Sequence, residues 1–562
     1  MWVHPGIVVL AGAILLPLIR PRRVEQMVFL ALPLISLLIL ILTSLGNFGE
    51  LPFELKTEFL NYEVLIRVDK LSLVFAYVFS IAAIAMNVYA LHSSSLEHFS
   101  AMVYVGSALG VVFAGDLFSF YIFWELMAIG SLFLIWFRRT KKAEEAGFRY
   151  ALWHLAGGLF LLAGIVLYVL QTNTIEFKAF NNVGLAYYLI LLGFIINAAV
   201  PPLHAWLPDA YPEATVTGAV YLTAFTTKSA VYALARGFAG EELLMWLGAI
   251  MAMYGVIFAV LENDGRRLLS YHIVSQVGYM VAGVGIGTAI AINGATSHAF
   301  THILYKALLF MGMGAVIEVT GRSKLTELGG LYRYMPVTFY LYMIGAFSIS
   351  AFPLFSGFVS KNMTVYASAE EHLVLIWFLL EGASVGTFLS IGLKLPWNVW
   401  FSREPVVEAK EKAREAPKNM IAGMVILAAL NIFFGTYPGY EILYSLLPYP
   451  VNYNPYDPAK VISMSQLLLF TFFAFWIMRE RLKGKEKIVL DTDWLPRIVG
   501  NYFIYYCLKF TEFSKELDRK LLETSGKLKA LTQLKLRELT PGYGVLVVCL
   551  VFAVYLLLFI FS

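Results

Sequence analysis

The chain has 562 residues, 59% of them hydrophobic and 14% charged, and its mean hydropathy is +0.72. That balance excludes a soluble globular protein and points to a polytopic membrane chain. The formal net charge of +4 says little by itself, and no nucleic-acid partner is expected.

Runs of roughly 17–25 apolar residues recur from end to end, each long enough to cross a hydrocarbon core of about 30 Å as a helix. About sixteen spans are predicted. They are centred near Leu10, Leu37, Ala82, Ala108, Leu126, Leu159, Phe194, Ala224, Met253, Tyr279, Leu308, Ile344, Val385, Leu427, Phe470 and Phe552. The first run lacks a charged start and a small-residue cleavage site, so it reads as a span and not a signal peptide. With the N-terminus outside, the inner loops hold 18 Lys and Arg against six on the outer side. The positive-inside rule therefore predicts a multi-pass cell-membrane protein with both termini outside.

In chain order, residues 1–95 carry spans 1–3, 96–240 spans 4–8, 241–400 spans 9–13 and 401–480 spans 14 and 15. Residues 481–540 hold a different element, and 541–562 form span 16. Segment 498–539 places Phe510, Phe513, Leu517, Leu521, Leu528 and Leu531 among Lys and Glu. This predicts a lateral amphipathic helix on the cytoplasmic face, about 60 Å long at 1.5 Å per residue. A juxtamembrane coiled coil is the plainer alternative. Cys507 and Cys549 lack ligand-like spacing, and no nucleotide, flavin, haem or Fe–S motif occurs. No cofactor and no redox step are expected of this chain.

Ionisable residues inside spans carry the functional signal, because an intramembrane charge is costly unless paired, hydrated or neutralised. Glu125 lies in "DLFSFYIFWELMAIG", Lys228 in "TAFTTKSAVYALA", Lys306 in "HILYKALLF", Lys361 in "GFVSKNM", Lys394 in "IGLKLPW" and Glu381 in "FLLEGASV". His298, His302 and Lys306 stand at i, i+4 and i+8 and so share one helix face. Alternating acid, base and imidazole along a hydrated track is the chemistry of a proton relay. Lys361 and Lys394 lie near span ends, where snorkelling to the interface is the bland alternative. Glu381 reads equally well as a locally hydrogen-bonded structural acid. The HxxxH spacing of His298 and His302 has no third ligand, so no metal site is expected.

Span 7, "GFIINAAVPPLHAWLPDAYPEA", is broken at Pro201 and Pro202, and span 12, "GAFSISAFPLFSGFVSK", at Pro353. Broken helices at membrane depth line cavities or are buried. "AVPPLHAWL" and "AFPLFSGFV" recur five spans apart, and an odd repeat inverts topology. The expected architecture is therefore all-α: two inverted five-helix repeats, spans 4–8 and 9–13, with ion sites near midplane.

Together "DLFSFYIFWELM", "PPLHAWLPDAYPEA", "RRLLSYHIVSQVGYM", "SHAFTHILYKALLF" and "PLFSGFVSK" resemble the antiporter-like membrane subunits of respiratory complex I and the Mrp sodium/proton antiporters. The likeness runs from about residue 60 to 400. "TAFTTK", "YHIVSQ" and "LDTDWLPR" at 490–497 look nearer to the Mrp-type and hydrogenase-linked branch. The resemblance implies that Glu125, Lys228, Lys306 and Lys361 match the ion-pathway residues of spans 5, 8, 11 and 12. It also implies partners: other antiporter-like and small membrane subunits of one complex, the bilayer, H⁺ or Na⁺, and a peripheral Fe–S redox arm in the electron-transfer complexes. One position departs. Where the resembled family has a span 7 lysine five residues before the proline of "PLHAWL", this chain has Asn197. Lys228 compensates, or Glu125 is protonated at rest, or this half-channel carries hydrated Na⁺ or is inactive. The expected function is H⁺ or Na⁺/H⁺ translocation within an electron-transfer complex. The alternatives are membership of a stand-alone Mrp-type antiporter and an inactive, structural role.

Overall fold

A computed structural model describes residues 2–59, 62–402, 405–486 and 489–492, with scattered residues between 494 and 516. Residues Met1–Asp491 form one compact unit and Thr492–Ser562 a second. The predicted span at Phe552 lies outside the described residues, as do Cys507 and Cys549. The segment 498–539 is described at scattered residues only, up to Glu516.

The first unit is a helical bundle. Its helices are α1 (Pro5–Leu15), α2 (Arg22–Ser44), α3 (Lys70–Tyr89), α4 (Ser95–Phe113), α5 (Leu117–Trp136), α6 (Lys141–Thr172) and α7 (Leu185–Asn197). Then follow the short α8 (Trp206–Ala210) and α9 (Val216–Leu222), and α10 (Thr226–Gly237), α11 (Glu242–Leu261), α12 (Gly265–Ile286) and α13 (Ala289–Thr320). After them come α14 (Pro336–Ile349), α15 (Ser356–Glu370), α16 (Val374–Thr387), α17 (Val407–Lys412), α18 (Lys418–Phe433), α19 (Gly439–Leu446) and α20 (Pro458–Met478). Among the described residues nine helices are long and apolar enough to cross a membrane, and shorter apolar helices of 10–17 residues stand beside them.

Polar residues cap the helices where the apolar runs stop. Asp69, Ser94, Asp116, Thr140, Asp264 and Thr288 each accept a backbone N–H at the start of α3, α4, α5, α6, α12 and α13. A side chain of this kind satisfies donors that the helix cannot. Helix α13 occupies the interior, with α3, α9, α12, α14, α15 and α18 packed around it, and nearly all of its side chains are buried. Helices α11 and α12 approach backbone to backbone through Gly248, Gly255, Gly278 and Gly285, where a Cβ would meet main-chain atoms of the facing helix. Small residues permit this closeness, which maximises dispersion contact where lipid offers no hydrophobic drive.

Three local features depart from the expected all-α pattern of unbroken spans. An antiparallel hairpin, β1 (Phe53–Phe59) and β2 (Tyr62–Val68), stands between α2 and α3, in a register that pairs Phe53 with Val68 and Lys56 with Leu65. Alternation in "FELKTEF" and "YEVLIRV" accounts for it. The span centred on Ala224 is interrupted at 223–225, between α9 and α10. The helix after α16 widens into π-helical turns at Phe388–Lys394 and Trp397–Phe401.

Candidate functional site

The two proline breaks share one stereochemistry. After α7, Ala199 takes a left-handed conformation at φ 58°, and after α14, Ala351 does so at φ 56°. Ala199 N–H donates to Ile196 O at 3.0 Å and Val200 N–H to Ile195 O at 3.1 Å. The same pair of bonds recurs from Ala351 to Ser348 O and from Phe352 to Phe347 O, both at 3.0 Å. This is the paired closure that usually places glycine at the left-handed position. Alanine there costs on the order of 1–2 kcal/mol, so the surrounding packing imposes it. Proline two residues on, Pro201 or Pro353, prevents the helix from resuming. Trp206 Nε1 turns back to donate a second hydrogen bond to Ile196 O at 3.0 Å, beside the one from Ala199 N–H.

Around the first break, three helices bring polar groups into one notch. Gly157 and Gly158 of α6 open it. A Cβ on Gly158 would overlap the Glu125 carboxylate of α5, and one on Gly157 would lie 3.2 Å from Ile196 Cγ2 and 3.6 Å from Asn197 Oδ1 of α7. Glu125 and Asn197 therefore flank the same two glycines. Among the described residues, Glu125 Oε1 and Asn197 Oδ1 are buried without a hydrogen-bond partner. One turn from Gly158 on α6 lies His154, only 4% exposed, with neither ring nitrogen partnered in hydrogen-bond geometry although Asn197 stands beside it. Tyr150 packs on the His154 ring at 4.1 Å and Trp206 at 4.7 Å. The Tyr150 hydroxyl is 2.7 Å from Ser131 Oγ and beside Thr226, which is itself 2.6 Å from the Tyr104 hydroxyl.

From the interruption in span 8 the row continues along the centre of the bundle. Lys228, at the start of α10, donates to Thr223 O at 2.6 Å and Thr227 Oγ1 at 3.1 Å. The break thus supplies the carbonyl that holds the ammonium, and Lys228 is directed to Thr223 and Thr227, not to Glu125. On α13, His298, His302 and Lys306 are all fully buried. His302 stands within electrostatic reach of both Lys228 and Lys306. His298 does so with Lys361, and His272 of α12 with Lys306, Lys361 and Lys394. Lys306 Nζ and Lys361 Nζ have no hydrogen-bond acceptor among the described residues. Lys361, 0% exposed, holds its ammonium 4.8 Å from the centre of the Tyr279 ring and faces Glu381 of α16. At the far end Lys394, within the π-helical turns, donates to Val260 O at 2.6 Å and Glu262 O at 2.9 Å, where α11 ends. A cation at a helix C-terminus is favourably placed.

The arrangement thus joins Lys228, His302, Lys306, His298, Lys361 and Glu381 in one interior row, with Glu125 and Asn197 in a separate notch near its start. Polar atoms without protein partners at this depth require water for their hydrogen bonds, since each left dry is costly. Sequence reasoning passed over His154, His272 and the cluster of His204, Tyr254, Tyr271 and Asp491. The signal for His154 was present, an imidazole followed by Gly-Gly in an apolar run. Asp491 lay inside the noted "LDTDWLPR", but its partners are more than 200 residues away in the chain.

Residues 114–390 match the family described as "NADH:quinone oxidoreductase/Mrp antiporter, TM". The chain is similar to an Na(+)/H(+) antiporter subunit of Alkalihalophilus pseudofirmus, at 32% identity over 76% of this chain and 60% of that protein. It is also similar to hydrogenase-4 component B of Escherichia coli, at 27% identity over 66% of this chain and 62% of that protein. The chain thus spans about 60% of the length of these two relatives. In fold it resembles a chain of the membrane-bound sulfane sulfur reductase, an archaeal respiratory membrane complex. There the TM-score is 0.73 and the identity 24%, covering 98% of this chain and 99% of the other.

Proposed function

We propose, for a chain whose residues 114–390 match the NADH:quinone oxidoreductase/Mrp antiporter family, that it translocates H⁺, or exchanges it for Na⁺, as an antiporter-like subunit of a multisubunit membrane complex. The observation that carries this reading is the interior row from Lys228 through His302, Lys306 and His298 to Lys361. Its members are 0% exposed, and among the described residues two of its ammonium groups lack protein acceptors. Such groups exchange protons with neighbouring water and imidazole more readily than a saturated ion pair does, and each one's charge biases the next. Hydrocarbon packing alone gives no reason to bury three lysines and two histidines along one axis.

The matching breaks at Ala199 and Ala351 support two inverted repeats, spans 4–8 and 9–13, each with an interrupted helix at midplane. Sixteen spans, both termini outside and a lateral helix on the cytoplasmic side complete the proposed topology. The similarity to a hydrogenase component and to a respiratory-complex fold favours coupling to electron transfer in a peripheral arm. The similarity to an antiporter subunit supports the ion chemistry. Other membrane subunits are the proposed neighbours, and the chain itself is proposed to hold no cofactor.

Lys306→Met tests the reading. In vesicles carrying the intact complex the variant should assemble at wild-type levels while ion translocation falls at least about tenfold, as expected when a step loses its proton-binding group. Undiminished translocation would reduce the central lysine to a packing residue.

A further inference from the structure

We infer that His154 is a proton-carrying residue of the first repeat, the counterpart on α6 of the His302–Lys306 column on α13, acting with Glu125 across the Gly157–Gly158 notch. The inference rests on the repeat reading proposed above. Two independent registers support it. Helices α6 and α13 are each 32 residues long, and both their starts and their left-handed caps, Asn173 and Gly321, stand 148 residues apart. That offset superposes His154 on His302 and Gly158 on Lys306. The left-handed alanines of the two breaks, Ala199 and Ala351, stand 152 residues apart. That offset superposes His154 on Lys306 itself. The registers differ by four residues, about one helical turn, so either sets His154 on the face that carries titratable groups in the second repeat.

The local geometry fits this role and not a packing role. A structural histidine in a membrane interior satisfies its ring nitrogens, because each unsatisfied polar atom there is costly. His98 does so, with Nδ1 2.7 Å from Glu25 and Nε2 2.9 Å from Ala90 O. Among the described residues His154, 4% exposed, has neither nitrogen in hydrogen-bond geometry with a partner, the Asn197 amide standing beside it and the unpartnered Glu125 Oε1 one turn away at Gly158. Glu125 of α5 stands one turn away, against Gly158, and the titratable groups at the ring itself are Tyr150 from its own helix and, beyond Trp206, Tyr211 of the re-entrant segment. Asn197 from α7 adds no charge. Among the described residues no lysine or arginine is found with them, so the imidazole is the group able to bring a positive charge towards Glu125. The hydroxyls of Tyr150, Thr226 and Tyr104 continue from the ring to the start of α10, where Lys228 begins the interior row. The proton would pass between an imidazole nitrogen and the Glu125 carboxylate through water, with no other bond made or broken.

The test reads Glu125 and requires no transport. In membranes carrying the full chain, a carbodiimide labels the protonated carboxyl of Glu125, and the pH of half-labelling is followed by peptide mass spectrometry. His154→Gln removes the group that can take up a positive charge there and should raise that pH, while His154→Lys supplies a cation and should lower it, each by at least about one pH unit. An unmoved profile in both recovered variants overturns the inference, whatever Lys306→Met does to translocation. If neither variant is recovered, ¹⁵N-histidine spectra of the wild type and Glu125→Gln decide. One imidazole whose titration falls to lower pH in Glu125→Gln supports the pairing, because coupling between two sites is reciprocal, and nine unmoved imidazoles refute it.

Discussion

His204, on the re-entrant turn after the α7 break, holds Asp491 at 3.1 Å with both side chains almost fully buried. The same carboxylate accepts the hydroxyls of Tyr254 on α11 and Tyr271 on α12. One acid from the segment after α20 therefore ties the broken helix of the first proposed repeat to the first two helices of the second. Burial alone would push this carboxyl up. The His204 ring and the two tyrosine donors outweigh burial and hold it well below the usual carboxylate range. A depressed acid contributes stability above its unfolded value, about 3.9, and loses it as pH falls through the lower folded value.

Asp491→Asn should therefore lower the thermal midpoint of the purified full chain at pH 7, by about 3 kcal/mol in stability, the usual cost of removing one partner from a buried pair. It should also flatten the decline of the midpoint with acidification below about pH 4. A midpoint and an acid limb both unchanged would show that the cluster adds nothing to the fold.

Two glycines allow packing to be told from function. A Cβ on Gly278 would lie 2.6 Å from Gly248 O and against Ala252 N, both main-chain atoms that cannot yield. Gly278→Val should separate α11 from α12 and cost about 3 kcal/mol, the upper end for overpacking, read as loss of monodisperse protein. At Gly158 the obstacle is the far end of the Glu125 side chain, which can swing away. Gly158→Ala should be recovered normally while the pH profile of Glu125 labelling changes. Equal recovery of Gly278→Val and wild type would refute the close α11–α12 contact as a stability determinant.

The proposed topology has its own check. A membrane-impermeant reagent should reach cysteines placed in the loop at Lys141 and in the segment 498–539 from the cytoplasmic side only. Labelling of both from outside would invert the charge-based assignment and remove the basis for the inverted repeats.

Each feature of the fold is legible in the sequence to the extent that it is written into local composition. Apolar runs and prolines are local, so the bundle and the breaks near Pro201 and Pro353 are readable in the sequence alone. The interruption before Lys228 contains neither proline nor glycine in "LTAFTTK" and is held by tertiary contacts such as the Tyr104 hydroxyl accepting Thr226 N–H at 2.9 Å. No period in the sequence could announce it. The π-helical turns around Lys394 are equally silent. Charged residues inside spans were conspicuous because they violate the composition around them. His154 was not, since a neutral imidazole violates it only weakly. Its meaning emerges when α5 and α7 bring Glu125 and Asn197 to the same two glycines.

A lysine at position 197 would return a charge to that notch. Asn197 Oδ1 and the Glu125 carboxylate flank adjacent positions of α6, so a lysine at 197 would enter the surroundings of the acid. An opposite charge within about 4–6 Å typically favours the ionised carboxylate by roughly 1–3 pKa units. Asn197→Lys should accordingly lower the pH at which carbodiimide stops labelling Glu125, and should do so in the His154→Gln background as well. The labelling should vanish in Glu125→Gln whatever occupies 197. Stability provides the second arm. The new ammonium must be desolvated and is offset only by an ionised Glu125, and a buried charge left without its partner costs about 3–5 kcal/mol. Asn197→Lys combined with Glu125→Gln should then unfold at a lower temperature than either single variant. A labelling profile that ignores the lysine, or a double variant no weaker than the singles, would mean that Asn197 does not neighbour the acid. The pairing of spans 5 and 7 would then be absent from this protein.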